Sequence, residues 1–269
     1  MIKIVTFTPV WQRPEIFEIC LAGLDRLKNY KPERFEIRPF FIVSENRAAK
    51  QVERYGFDYI LWQNQPLGQK KNAGLKYVME NYDFDYMMEL GSDDIITNEY
   101  LDFVESRMKK GSMQFVVDCV YFVDVLTGKT ACWTTDKIIG LGRCLHRDAL
   151  ELFAPDYELW EPQRNMAMDG CSWMNLMAKN VFCELLSSRR YFTLDIKSDV
   201  NINHLDSFAP HYTATDELLC HFPEGDLIVG LIEKYKKEGI PEKILEAHSE
   251  RSRLIDEEKK LLQLLINEN

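Results

Sequence analysis

The sequence predicts an α/β protein built on a doubly wound, mainly parallel sheet with helices on both faces, and three observations carry that prediction. Short apolar, β-rich runs alternate with stretches of helical periodicity from residue 2 to about residue 97. The polar residues of this region gather just after each run and are sparse within it. Finally, 46% hydrophobic residues in a chain of 269 supply enough apolar side chain for a sizeable core.

Ile2 to Val10 reads as the first strand, and Pro14 opens a helix carried by Ile16, Ile19, Cys20, Leu24 and Leu27. Phe35 to Ser44 (FEIRPFFIVS) is a second strand, Asn46 to Tyr55 a short helix, and Asp58 to Gln63 (DYILWQ) a third strand. Gly68 starts a helix with Ala73, Leu75, Tyr77, Val78 and Met79 on it, and Tyr86 to Leu90 is the fourth strand. Strands and helices alternating at this spacing call for a parallel sheet.

Beyond residue 97 the pattern is mixed. Asn98 to Lys109 reads as a helix, Phe115 to Val125 and Lys129 to Thr134 as strands joined at Thr127-Gly128, and Arg147 to Phe153 as a short helix. Residues 225–269 space Leu and Ile among charges, as one or two amphipathic helices do; they are expected to dock on the body, with self-association as the alternative. The expected division is therefore a body of residues 1–224, in halves 1–97 and 98–224, with a helical extension of residues 225–269 after it.

Composition removes several functional classes. A formal charge of -10 and a pI near 5.1 repel phosphate backbones and anionic lipid heads, so no nucleic acid or membrane partner is expected. Seven cysteines stand singly, with no C-x-x-C pair, which argues against a zinc site and a disulfide framework and for small buried hydrophobes. The N-terminal apolar stretch, about ten residues, is too short for a signal or a membrane span. The expectation is a soluble, cytoplasmic protein.

In an open parallel sheet, ligands bind beyond the carboxyl ends of the strands. Thr8, Pro9, Trp11, Gln12 and Arg13 come after the first strand; Ser44, Glu45 and Asn46 after the second; Gln65 to Asn72 after the third; Gly91, Ser92, Asp93 and Asp94 after the fourth. The stretch PLGQKKNAG sets Gly68, Lys70, Lys71 and Asn72 at a helix start, where free N–H groups favour an anion; the alternative is a surface helix with solvated lysines. Asp93 and Asp94, side by side after a buried run in YMMELGSDDII, repel each other unless a divalent cation sits between them. The alternative is that one of them caps the helix beginning near Thr97.

Taken in order, these strand ends resemble those of family 2-like, GT-A-fold glycosyltransferases that use nucleotide-sugar donors, over about residues 1–205. The resemblance implies that Thr8, Pro9 and Arg13, in TPVWQRP, lie against the nucleotide base, and that Glu45 reads the base edge where the family usually has Asp. Gly68, Lys71, Asn72 and Gly74 match the family's run before the next helix, with Lys71, and secondarily Lys70, near the diphosphate. Asp93 and Asp94 share ribose contact and metal ligation, because Gly91 stands where the fuller motif has an acid. Asp169, in NMAMDGCSWMNLM, is the implied catalytic base, the run IIGLGRCLHRDAL loosely matches a Gly-rich strand near the sugar, and His204 would complete the metal shell.

The resemblance also implies a GT-A fold, a mixed and mainly parallel sheet flanked by helices with a C-terminal helical extension. Residues 1–97 form its nucleotide-binding half and 98–224 its acceptor half. The implied reaction moves a sugar from a nucleotide-diphosphate donor, a UDP-sugar being favoured, to a hydroxyl of a glycan or other acceptor. It uses Mn²⁺ or Mg²⁺ and inverts with Asp169 as base. Of Trp133, Trp160 and Trp173, at most one is expected to touch the acceptor. The competing readings are a sugar nucleotidyltransferase, which ordinarily has a Gly-rich loop where this chain has TPVWQRPE, and a non-catalytic nucleotide-sugar-binding protein of the same fold.

Overall fold

The computed structural model describes residues 1–198, 211–213 and 215–239. β1 (Ile2–Val10) is buried along most of its length, as a strand covered on both faces must be. α1 (Pro14–Lys28) begins with proline in its first turn and buries Ile16, Phe17, Cys20, Leu21, Leu24 and Leu27. β2 (Phe35–Val43) runs parallel to β1 in register from Ile2↔Phe35 to Val10↔Val43. α2 (Asn46–Arg54) leads into β3 (Asp58–Leu61), parallel to β2.

α3 (Leu67–Asn81) covers the opposite face. It approaches so closely that a Cβ at Gly74 would stand 2.2 Å from Ile42 Cδ1 and 3.1 Å from Phe7 Cε2, and only glycine fits there. β4 (Tyr86–Glu89) pairs parallel with the free side of β1. Two apolar clusters flank the sheet: Phe17, Leu24, Val52 and Tyr100 lie in one, and Phe7, Phe40, Leu75 and Trp160 in the other.

The second half continues with β5 (Asp94–Ile96), α4 (Asn98–Lys109), β6 (Gln114–Val117), β7 (Cys119–Asp124) and β8 (Thr130–Thr134). Next come β9 (Cys144–His146), α5 (Arg147–Glu151), α6 (Met168–Ala178), β10 (Glu184–Leu186), β11 (Thr193–Lys197), β12 (His211–Thr213), α7 (Thr215–Leu219) and α8 (Gly225–Glu238). Among the described residues the first sheet has the order β10-β6-β9-β4-β1-β2-β3, parallel except where β9 runs against β4 and β6. A second sheet has the order β12-β8-β7-β11-β5.

One expected strand is corrected. Phe115 to Val125 is not continuous: β6 belongs to the first sheet and β7 to the second. The chain changes sheets at Asp118, whose Oδ1 accepts the Ser188 N–H at 3.1 Å while its own N–H donates to Leu186 O at 3.1 Å. No glycine or proline marks the break, so the apolar run reads as unbroken.

Of the expected extension, α8 docks on α1. Tyr235 donates to Glu15 at 2.7 Å, Lys234 pairs with the same carboxylate, and Arg26 holds Glu224 at 2.7 Å just before the helix. Residues 240–269 lie outside the described residues. No helix among the described residues is long and apolar enough to cross a membrane.

Candidate functional site

Beyond the carboxyl ends of β1 and β4 lies a cavity of about 430 Å³. Its floor carries Pro9, Arg13, Lys71, Glu89, Asp93 and Asp94; the second sheet contributes Val120, Phe122, Trp133, Asp195 and Lys197; and the far side holds Gly140 and Asp169. A larger, more open groove of about 960 Å³ runs between α1, α2 and α8, but it lies away from the converging strand ends. Chemistry therefore directs attention to the smaller cavity.

Gln12 and Arg13 both take left-handed backbone conformations, with φ 57° and 53°. For residues other than glycine this costs roughly 1–2 kcal/mol each. The turn aims the Arg13 guanidinium at the acids: Nη1 pairs with Asp93 Oδ2 at 2.5 Å and Nη2 donates to Ser92 Oγ at 3.0 Å. Arg13, expected against the base, thus anchors the acidic turn.

The acidic pair folds back over Gly91. Asp94 Oδ2 accepts the Gly91 N–H, and a Cβ at Gly91 would lie 2.6 Å from Asp93 Oδ1 and 3.1 Å from Asp94 Oδ2. Gly91 therefore sits where the two carboxylates need the space. Neither acid caps α4, whose N-cap is Thr97 with no side-chain cap bond.

β11 brings up a third acid, because its antiparallel register with β5 sets Asp195 opposite Asp94. Lys197 Nζ pairs with Asp195 Oδ2 at 2.6 Å, while Asp195 Oδ1 is buried with no hydrogen-bond partner among the described residues. Burial, then Asp93 and Asp195, push the Asp94 carboxyl well above the usual range. Burial likewise pushes Asp195 up to about 6, with Lys197 opposing and Asp93 adding to the rise.

Behind the acids lies a buried ion cluster. Glu89 accepts from Lys71 Nζ at 2.8 Å and from Arg143 Nε at 2.6 Å, and Lys71 also stands 4.1 Å over the Trp160 ring. Burial alone would raise the Glu89 carboxyl, but Arg143 and then Lys71 outweigh it and hold it below its ordinary value. The reading of Lys70 and Lys71 as solvated surface lysines fails, since both are buried. Lys70 Nζ donates to Val10 O at 2.7 Å and Ser44 Oγ at 2.8 Å, tying the ends of β1 and β2 together.

Asp169 sits in the first turn of α6, one residue past its start and not at the N-cap, which is Ala167. Its Oδ2 accepts the Gly140 N–H at 2.9 Å, and its backbone oxygen accepts from Arg143 Nη1 at 3.3 Å. A Cβ at Gly140 would come within 2.6 Å of Asp169 Oδ1.

Pro9, Arg13, Lys71, Asp93, Asp94 and Asp169 are thus brought to one cavity, and four other expected ligand contacts are not. Thr8 is buried within β1, and Glu45 Oε1 accepts the Gln12 N–H at 3.2 Å. Gly68 is packed so tightly that a Cβ would meet Glu161 O at 2.0 Å. Asn72 clasps the backbone of Trp160, donating to its carbonyl at 2.7 Å and accepting its N–H at 3.0 Å. Gly68 and Asn72 therefore hold α3 against residues 160–162 and do not reach the cavity. His204 lies outside the described residues. Trp133 is on the wall, Trp160 is fully buried behind it, and Trp173 is not on it.

Sequence reasoning missed Glu89, Arg143, Asp195 and Lys197. An arginine set between Gly142 and Cys144 in an otherwise apolar run, and Asp and Lys alternating with apolar residues in TLDIK, were the available signals.

Among the described residues, no three His, Cys, Asp or Glu side chains are grouped so as to hold a metal ion by themselves. Two carboxylates turned together over Gly91, with the buried Asp195 Oδ1 nearby, still match a hard divalent cation. Mg²⁺ in particular is commonly held by one or two carboxylates plus the phosphates of its substrate.

No protein-family model matches the chain, and no curated protein matches it. Among solved structures, S. aureus TarS 1–349 in complex with UDP superposes with a TM-score of 0.51 at 14% identity, covering 74% of this chain and 62% of that one. The complex of the same protein with UDP-GlcNAc gives 0.51 at 14% identity, over 86% and 66%. TarS 1–349 itself gives 0.50 at 11% identity, over 90% and 77%. This chain spans about 62% of the UDP complex, and at such identities the likeness is one of fold. The architecture is accordingly mixed α/β of the GT-A type.

Proposed function

We propose that the chain is a glycosyltransferase that takes a nucleotide-diphosphate sugar in the cavity at the end of β1 and β4, with a UDP-sugar favoured. The observation that carries this reading is the meeting of Arg13, Asp93 and Asp94 with Asp169 across one cavity of a GT-A-type fold. The TarS structures, which contain UDP and UDP-GlcNAc, support the choice of base.

Asp93 and Asp94 would hold Mn²⁺ or Mg²⁺, and His204 remains the proposed further ligand. When bound, such an ion neutralises the charge that grows on the departing diphosphate. Arg13 fixes the acidic turn through Asp93 and Ser92. Lys71 lies on the cavity lining, with Glu89 offsetting its charge. Asp169 removes the proton of the acceptor hydroxyl as that oxygen bonds to the anomeric carbon and the carbon–diphosphate bond breaks on the opposite side, which inverts the centre. The Gly140 N–H occupies Asp169 Oδ2 and so fixes the carboxylate for that proton transfer. Trp133 offers an apolar face to a sugar ring.

Thermal shift with a panel of nucleoside diphosphates, with and without Mn²⁺, tests the reading. A metal-dependent rise in Tm with UDP supports it, and no rise with any nucleotide in either condition rejects the donor site. A Tm rise that persists unchanged in the Asp94→Ala variant would remove the acidic pair from it.

A further inference from the structure

Two of the cysteines that stand far apart in the sequence meet in the structure. Cys119 opens β7 and Cys132 lies in β8, with their Sγ atoms 3.2 Å apart and both thiols free. In the antiparallel register Cys119 faces Thr134 and Cys132 faces Tyr121, so the two cysteines are diagonal neighbours on one face of the ribbon. The alternate positions Val120, Phe122 and Trp133 belong to the opposite face, and all three line the cavity. The thiol pair and the cavity wall are therefore the two sides of one piece of sheet.

The surroundings favour reaction at Cys132. Cys119 is buried, whereas Cys132 is partly exposed. The hydrogen bond shared with Cys119, in which either thiol can donate, and the charge of Arg189 pull the Cys132 thiol below its ordinary value against the opposing effect of burial. The same hydrogen bond, with burial, pushes the Cys119 thiol up. Arg189 is held in place by Asp118, Nη1 to Oδ1 at 3.4 Å, at the point where the chain changes sheets. Two thiols within reach of each other, in the field of a cation, have the arrangement of a redox-active pair.

We propose that Cys119 and Cys132 form an oxidisable dithiol whose conversion to a disulfide reshapes the β7–β8 wall of the cavity. With hydrogen peroxide as oxidant, the Cys132 thiolate attacks one oxygen and the O–O bond breaks. One water leaves after protonation and Cys132 becomes a sulfenic acid. The Cys119 sulfur then attacks the Cys132 sulfur, the S–O bond breaks, and a second water leaves. Two thiols and one peroxide thus yield one disulfide and two waters. The two Sγ atoms, 3.2 Å apart, must close to about 2.05 Å to form the bond. Val120 and Trp133 are carried by the same two strands on the other face, so that movement is the one that reaches the cavity wall.

The test uses the full chain in its native state, and its readouts need no ligand. Protein is exposed to hydrogen peroxide near neutral pH, quenched with iodoacetamide, digested and mapped by mass spectrometry. The expected result is a Cys119–Cys132 linked peptide that forms severalfold faster than oxidation of Cys183 or Cys220 and disappears with dithiothreitol. Cys119→Ser should leave a dimedone-reactive Cys132, and Cys132→Ser should leave no linked peptide. Persistence of both thiols in alkylatable form while Cys220 is consumed would overturn the pair, as would a link that forms only after denaturation. The coupling to the cavity is read as the fluorescence difference between the wild type and Trp133→Phe. That difference should shift on oxidation and return on reduction, and a constant difference would overturn the coupling.

Discussion

Glu89 is the residue whose loss the structure makes most expensive. Its side chain is 4% exposed, and it faces two cations that are equally enclosed, Lys71 at 8% and Arg143 at 0%. Glu89→Gln keeps the shape but leaves both positive groups without their shared counter-charge. Removing one partner from a buried pair costs about 3–5 kcal/mol, since the remaining charge stays desolvated. At about 2–4 °C per kcal/mol for a chain of this size, Tm should fall by roughly 6–20 °C. The sign with pH is fixed by the direction of the Glu89 shift. The folded carboxyl lies below its ordinary value of 4.5, so its stabilisation is fully present above that value and is lost as pH falls through the folded one. Urea unfolding of both proteins at pH 7 and along a series down to pH 4 and below should show the full gap at neutral pH and a closing gap in acid. A gap within about 1 kcal/mol at pH 7, the ordinary cost of a substitution, would refute the assignment of Glu89 as an ionised counter-charge.

Other perturbations reach the remaining parts of the site. Gly68→Ala sets a Cβ 2.0 Å from a backbone oxygen, so Tm should drop with a loss of about 1–3 kcal/mol, measured by the same unfolding series. Gly91→Ala should change Tm little but weaken metal-dependent nucleotide binding in a calorimetric titration, because its methyl displaces the Asp93 carboxylate. Asp94→Ala should abolish the Mn²⁺-dependent part of UDP binding, and an unchanged dependence would locate the ion elsewhere. Asp169→Asn should spare UDP binding and lower sugar transfer by about 10²–10⁴-fold, the usual contribution of a general base; retained transfer would mean a different base.

The first half of the fold was legible because each strand of the first 97 residues is a short apolar run bounded by turn residues, and β1 to β4 track those runs closely. Past Asp93 the sequence still marks α4, β8 and α5, but several strands leave no local signal. β6 and β7 form one apolar run that only the tertiary structure divides, and β5 and β9 are three residues long. In the site, the acidic turn and Asp169 were visible because they stand at strand ends or open a helix. Glu89 with Arg143, and Asp94 with Asp195, are pairs made by sheet register between segments 54 and 101 positions apart, for which local periodicity has no signal. The alternative of solvated lysines at positions 70 and 71 failed for a related reason. Lysines at a helix start are usually solvated, and here the ends of β1 and β2 and the carboxylate of Glu89 enclose them.

Whether the cavity at the end of β1 and β4 receives a nucleotide-sugar is read from a crystal grown or soaked with a UDP-sugar and Mn²⁺. Density for the diphosphate beside Asp93 and Asp94, with the sugar directed toward Asp169, is the predicted result. Nucleotide bound instead in the groove between α1, α2 and α8, or a cavity empty at saturating ligand, would contradict it.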